Sequence, residues 1–120
     1  RLDAGPKCGT CGARLMPGKA VAIDLATLRK AARHDEVPLV VDFWAPWCGP
    51  CKMMAPEFDR AAGQAGTRAR LVKLNTQDEA QAAGAYNIRG IPTMIRFHRG
   101  REAARQSGMM KSEQILRWIG

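Results

Sequence analysis

Apolar positions along the chain change period several times, and each change marks an element. Val21 and Ile23 alternate with small residues, a short strand pattern. Leu25, Leu28, Ala31 and Ala32 then recur at helical spacing behind Asp24 or Thr27 as N-cap, which predicts a helix to about Arg33. Pro38 stops anything helical before it. Residues 39–45 form a continuous β-branched and aromatic run interrupted only by Asp42, the mark of a strand buried on both faces at the middle of a sheet. From Cys48 the period is helical again, with Met54, Phe58 and Ala61 on one face, Pro56 predicting a kink and Gly63 and Gly66 ending the element. Residues 70–75 alternate as a strand, 78–85 read as a short Ala-rich helix, and 93–98 alternate again up to an Arg99-Gly100 turn. A last strand near 102–106 leads past Gly108 to a helix opened by Ser112-Glu113, with Ile115, Leu116 and Ile119 facing inward.

The predicted order is therefore β-α-β-α-β-α-β-β-α. Such alternation implies an α/β fold with a central mixed sheet and helices on both faces, parallel in its first half and antiparallel across the Arg99-Gly100 hairpin. Sheets of this kind collect reactive groups at the carboxyl ends of their central strands. Cys48 lies just past that end of the strongest strand.

Composition narrows the class without naming a chemistry. At 120 residues, 46% apolar and 25% charged, the chain suits one globular domain rather than a disordered or fibrous protein. No apolar run reaches the ~18 residues that a membrane helix needs. The net charge of +8 raises the question of a polyanionic partner. Its arginines and lysines are scattered without interleaved aromatics to stack bases, so a solvated basic surface is expected, with neither nucleic acid nor membrane as partner. The chain opens on Arg1 with no visible secretory signal, and a start other than Met leads us to expect residues upstream. Composition shifts near Lys19, from a Gly- and Pro-containing stretch poor in large apolar residues to the periodic pattern, so we divide the chain into a 1–19 segment and a 20–120 domain.

Two Cys-x-x-Cys pairs, Cys8/Cys11 and Cys48/Cys51, carry the candidate chemistry. A helix beginning at Cys48 places that sulfur at a helix N-terminus, where unpaired N–H groups and the dipole favour a thiolate. The thiolate is the nucleophile of disulfide exchange, so a lowered pKa makes Cys48 the attacking sulfur. Cys51, one turn later, can close a disulfide with Cys48 and so resolve a mixed disulfide. Pro50 sits in the first turn, where its missing N–H costs little, and Gly49 leaves the sulfur accessible. Half of a zinc site is the competing reading. Paired zinc motifs commonly lie ~15–20 residues apart, much less than the distance from Cys11 to Cys48, and a proline between ligands at a helix start is atypical.

The segment Asp42-Phe43-Trp44-Ala45-Pro46-Trp47-Cys48-Gly49-Pro50-Cys51-Lys52, with Pro56, Lys73-Leu74-Asn75 and Arg89-Gly90-Ile91-Pro92-Thr93, resembles the thioredoxin family over about residues 20–119. The resemblance implies a thioredoxin fold and a reductant of protein disulfides, recharged by thioredoxin reductase, acting as a monomer in the cytoplasm. By it, Asp42 is the buried carboxylate that handles the proton of the resolving thiol and Lys73 its paired lysine. A carboxylate inside an apolar strand has the raised pKa that such a proton acceptor needs. Pro92 matches a cis-proline facing the disulfide, and Ile91 the backbone that pairs with an extended substrate. Trp47, Gly90 and Gly108 match the flat rim around the cysteines, while Trp44 is either core or site. The Gly-Pro between the cysteines is similar to that of the reducing members. His98 stands where a lysine is more usual and Met53-Met54 follow Lys52; His34 and His98 are expected to be ordinary surface residues.

Lys7-Cys8-Gly9-Thr10-Cys11-Gly12 reads as a zinc knuckle, but zinc takes four ligands and only two are present here. It resembles the N-terminal extension of the bacterial thioredoxin-2 group, which implies a structural zinc held by Cys8, Cys11 and two further cysteines upstream of Arg1. A Cys8–Cys11 disulfide and two free thiols remain open. A binding module using the apolar rim, and a sensor in which the zinc segment gates the thiols, are the alternatives from other functional classes.

Overall fold

A computed structural model describes residues 20–34 and 37–119. Cys8, Cys11 and the rest of the 1–19 segment, with its expected zinc knuckle, lie outside the described residues, as does the side chain of His34. The described chain follows the expected order: β1 (Val21–Ala22), α1 (Leu25–His34), β2 (Leu39–Trp44), α2 (Gly49–Ala65), β3 (Arg70–Asn75), α3 (Ala80–Ala85), β4 (Thr93–His98), β5 (Arg101–Ser107) and α4 (Ser112–Ile119). Among these residues no helix is long and apolar enough to cross a membrane.

The five strands form one sheet in the order β1-β3-β2-β4-β5. Strand β2 is central because its apolar run needs cover on both faces and a partner on each edge. It pairs in parallel with β3, Leu39 opposite Arg70 through Trp44 opposite Asn75. On its other edge it pairs antiparallel with β4, Val41 opposite Ile95 and Asp42 opposite Met94. The change of direction thus falls at β2/β4, ahead of the hairpin where we expected it, because the chain returns from α3 running against β2. The β4–β5 hairpin is antiparallel as well, and its turn residues Arg99 and Gly100 have φ of 52° and 82°, the left-handed pair that matches strand twist in two-residue turns.

Side-chain alternation along the strands divides the interior in two. Val40, Leu71 and Met94 face α2 and α4 and pack on Met54, Phe58, Ala61, Ile115 and Ile119. Val41, Phe43, Val72, Leu74, Ile95 and Phe97 face the other way, onto Leu25, Leu28 and Ala32 of α1 and Ala82 of α3. Asp42 and Lys73 therefore belong to the α2 side of the sheet.

Element ends show which local forces won. Asp24, not Thr27, caps α1: its Oδ1 accepts the Thr27 N–H at 2.8 Å. Helix α2 runs through Gly63 and stops at Gly66, whose φ of 61° suits glycine. Burial of Ala61 and Ala65 on either side outweighs the roughly 1 kcal/mol that an interior glycine costs. Pro56 lies inside that helix as expected. Helix α3 starts at Ala80 rather than 78, because Asn75 Oδ1 accepts the N–H groups of Gln77 and Asp78 (2.9 and 3.4 Å) and holds a turn there.

Candidate active site

The loop from β2 to α2 delivers both cysteines. Cys48 is the N-cap of α2 with extended backbone (φ −89°, ψ 113°), and its Sγ accepts the Cys51 N–H at 3.2 Å. One N–H of the helix start thus points at that sulfur, an environment that, with the helix dipole, stabilises a thiolate once the disulfide opens. Cys48 and Cys51 are joined in a disulfide, with their Cα atoms 5.2 Å apart. The pair packs against Ala45, Trp44 and Ile91.

The two sulfurs differ in access. Cys48 lines an open groove of about 410 Å³ shared with Trp47, Thr76, Ile88, Arg89 and Ile91. Cys51 is buried at 1% exposure beneath the first turn. Trp47 stands 70% exposed at the rim, and Gly49 and Pro50 are exposed in the turn between the cysteines.

Opposite the disulfide, the segment before β4 supplies the other wall. Ile91–Pro92 is a cis peptide bond, as the resemblance implied, and the Ile91 carbonyl oxygen lies 3.7 Å from Cys48 Sγ. Thr93 Oγ1 donates to the Gly90 carbonyl and meets Ser107 Oγ at 3.1 Å, which braces the turn from β5. Gly108, at φ 97°, donates its N–H to Pro92 O at 2.8 Å. A side chain there would strain the backbone just where it clasps the proline. Trp47, Gly90 and Ile91 thus line the groove with Cys48, and Gly108 is tied to the adjoining Pro92.

Behind the pair, Asp42 is 3% exposed and its Oδ1 has no hydrogen-bond partner. Desolvation pushes its carboxyl up to about 7; the Lys73 charge opposes this and Asp59 adds to it. Lys73 is the cross-strand neighbour of Asp42 on β3, yet the ion pair its ammonium forms is with Asp59 Oδ1 at 3.9 Å. The Lys73 charge therefore acts on both carboxylates, on Asp42 from the neighbouring strand and on Asp59 from α2. Asp59 escaped sequence reasoning, although its place next to Phe58, on the flank of the buried face of α2, was the available signal. Thr76, Ile88 and Arg89 were missed as well, since they enter the groove from loops without periodicity. Trp44 serves mainly as packing, with its carbonyl oxygen accepting both Thr76 N–H and Thr76 Oγ1 (2.8 and 3.0 Å). Among the described residues no group of three or more His, Cys, Asp or Glu side chains could hold a metal ion, and His98 lies exposed at the end of β4.

A mixed five-stranded sheet with a Cys-x-x-Cys disulfide at the helix start after its central strand defines a thiol–disulfide exchange domain. Comparison with known proteins gives the family: the Thioredoxin family model matches residues 19–120, and the chain belongs to the thioredoxin family. It is 32% identical over 119 residues to thioredoxin C-3 of Corynebacterium nephridii, a match covering 99% of this chain and 81% of that one. It is 34% identical to a thioredoxin of Haemophilus influenzae, over 81% of this chain and 91% of the relative. Among solved structures, chloroplastic thioredoxin z superposes with a TM-score of 0.78 at 28% identity, covering 89% of this chain and 95% of that one. The chain is accordingly a protein-disulfide oxidoreductase that works through the Cys48/Cys51 pair.

Proposed function

We propose that the reduced chain donates two electrons to protein disulfides, with Cys48 as nucleophile and Cys51 as resolving thiol. The difference in position carries this assignment: Cys48 lines the groove at 6% exposure, while Cys51 does not line it and is 1% exposed. The Cys48 thiolate attacks one sulfur of the substrate; a mixed disulfide forms, and the other substrate sulfur leaves as a thiolate that takes a proton from water. Cys51 then gives its proton to the Asp42 carboxylate and attacks Cys48 Sγ. The internal disulfide forms, and the second substrate sulfur departs reduced. Thioredoxin reductase, as the family resemblance implies, returns two electrons to the pair. Lys73 acts on this proton step through its charge.

Trp47, Gly49, Pro50, Gly90 and Gly108 leave a low rim over which an extended substrate can lie, with the Ile91 backbone available for strand-like pairing and Pro92 holding it against the sulfur. A monomer acting in the cytoplasm on disulfide-bearing proteins is the setting we infer. A Cys51→Ser variant tests the order of events: incubated with a disulfide-bearing protein, it accumulates a mixed disulfide through Cys48 that mass spectrometry reads as one added substrate chain. Trapping through position 51 in a Cys48→Ser variant instead would reverse the assignment.

The Cys8/Cys11 pair supports a separate proposal, of the thioredoxin-2 type. Two thiolates at this spacing suit half of a tetrahedral zinc site, with glycines beside them to let backbone amides approach the sulfur. Two cysteines from outside this sequence would complete it, and the metal would act structurally. Elemental analysis of the reduced protein carrying its upstream residues should find one zinc per chain, lost on changing Cys8 and Cys11 to serine; no bound zinc would refute the proposal.

A further inference from the structure

The α2 face of the sheet holds three charged groups in a row, and only one of them is buried without a partner. Asp42 on β2 and Lys73 on β3 are register partners, so both side chains leave the same face of the sheet. Asp59 reaches toward that face from α2 and takes two contacts at one atom. Its Oδ1 accepts the Ala20 N–H at 3.0 Å and lies 3.9 Å from Lys73 Nζ. These contacts fix the carboxylate where it draws the ammonium. Asp42 Oδ1, by contrast, is buried and unbonded.

We propose that Asp59 is a positioning residue for the proton step: by binding the Lys73 ammonium it withholds that charge from Asp42 and makes the buried carboxyl hold its proton more tightly. The inference rests on the reading of Asp42 as the acceptor of the Cys51 proton. Two effects of Asp59 act in the same direction. Its own negative charge disfavours a second anion nearby, and the Lys73 ammonium, whose charge favours that anion, is shared with Asp59 at 3.9 Å.

Among the described residues, Lys73 and Asp59 are the charges that act on Asp42. From α2 the charge that acts on it is that of Asp59, while Lys52 is exposed and Glu57 is engaged with Arg60 and the Ser112 N–H. From β4 its neighbour is Met94, and Arg96 on that strand turns to α4, donating to Ile119 O at 2.7 Å. Glu113 and Arg117 of α4 are exposed.

The test is the titration of Asp42 in the oxidised protein, followed by its side-chain carboxyl carbon in NMR. Asp59→Asn keeps an oxygen for the Ala20 N–H and removes the charge. Its expected effect is a fall of about one pH unit in the Asp42 midpoint. Asp59→Glu, which keeps the charge, should return the midpoint toward the wild-type position. An Asp42 midpoint in Asp59→Asn equal to that of the wild type would overturn the proposal. The pH profile of mixed-disulfide resolution separates this from the reading beneath it. A midpoint that falls while the acid limb of the profile stays in place supports the coupling of Asp59 to Asp42, and removes Asp42 from the proton step.

Discussion

Cys48→Ser reduces disulfide turnover to background, a loss on the order of 10^4-fold or more by the scale on which losing a covalent nucleophile costs other enzymes. Disulfide exchange requires a thiolate, and serine supplies neither that anion near neutral pH nor a sulfur to form the mixed disulfide. Cys51 does not substitute, because it is 1% exposed under the first turn of α2 and has no path to a substrate sulfur. The fold should survive the change. Cys48 stays within the N-cap preferences when it becomes serine, whose hydroxyl can accept the Cys51 N–H that the sulfur accepts now. The measurement is a dithiol-driven protein-disulfide reduction assay with circular dichroism as the control for folding. Retention of a tenth or more of wild-type turnover by a folded Cys48→Ser protein would remove the pair from the mechanism.

Legibility in the sequence divides along physical lines. The order of the nine elements among the described residues was readable because hydrophobic period reports burial, and here burial alternates cleanly between a strand covered on both faces (β2) and helices covered on one (α1, α2, α4). The Cys48/Cys51 centre was readable too: its spacing is local, and the helix that activates it begins at the first cysteine. Long-range relations were not. Nothing in the pattern of residues 39–45 and 93–98 says that they run antiparallel, since direction is set by the path of the chain through α3. Helix α2 ended at Gly66 as read but passed through Gly63, where tertiary packing overrode a glycine, and the start of α3 was misjudged where one asparagine side chain held a turn. The partner of Lys73 depended on a carboxylate from α2, which sequence separation hides. What remains of the site, Thr76, Ile88 and Arg89, enters by loops whose positions follow from the sheet rather than from any local signal.

Asp42→Asn changes the pH dependence of stability more than any other substitution at the site. The carboxyl titrates near 3.9 in an unfolded chain and is pushed up to about 7 by burial in the folded one. Below pH 4 both states carry the proton and the group contributes nothing against folding. Between about pH 4 and 7 the unfolded chain has released the proton while the folded chain keeps it, so stability falls by about 1.4 kcal/mol per pH unit. Above pH 7 both are ionised and the penalty is constant, about 4 kcal/mol on this reckoning. Asparagine carries no such charge. The stability difference between Asp42→Asn and the wild type should therefore move in favour of the variant by about 4 kcal/mol between pH 4 and pH 8. Whatever fixed cost the buried amide adds cancels in that comparison. Urea unfolding of the two proteins with the Cys48–Cys51 pair oxidised measures it across this range, Cys8 and Cys11 being common to both. A difference that stays flat with pH would mean that Asp42 is ionised throughout the range in the folded chain. In that case it could not release a proton near neutrality, and the acid limb expected in mixed-disulfide resolution would have to arise from another group. The same substitution, which leaves Cys48 and Cys51 in place, should abolish that limb. Stability and mechanism are thus linked through one buried carboxyl: the penalty the fold bears at pH 8 is the counterpart of the proton affinity that the resolving step uses.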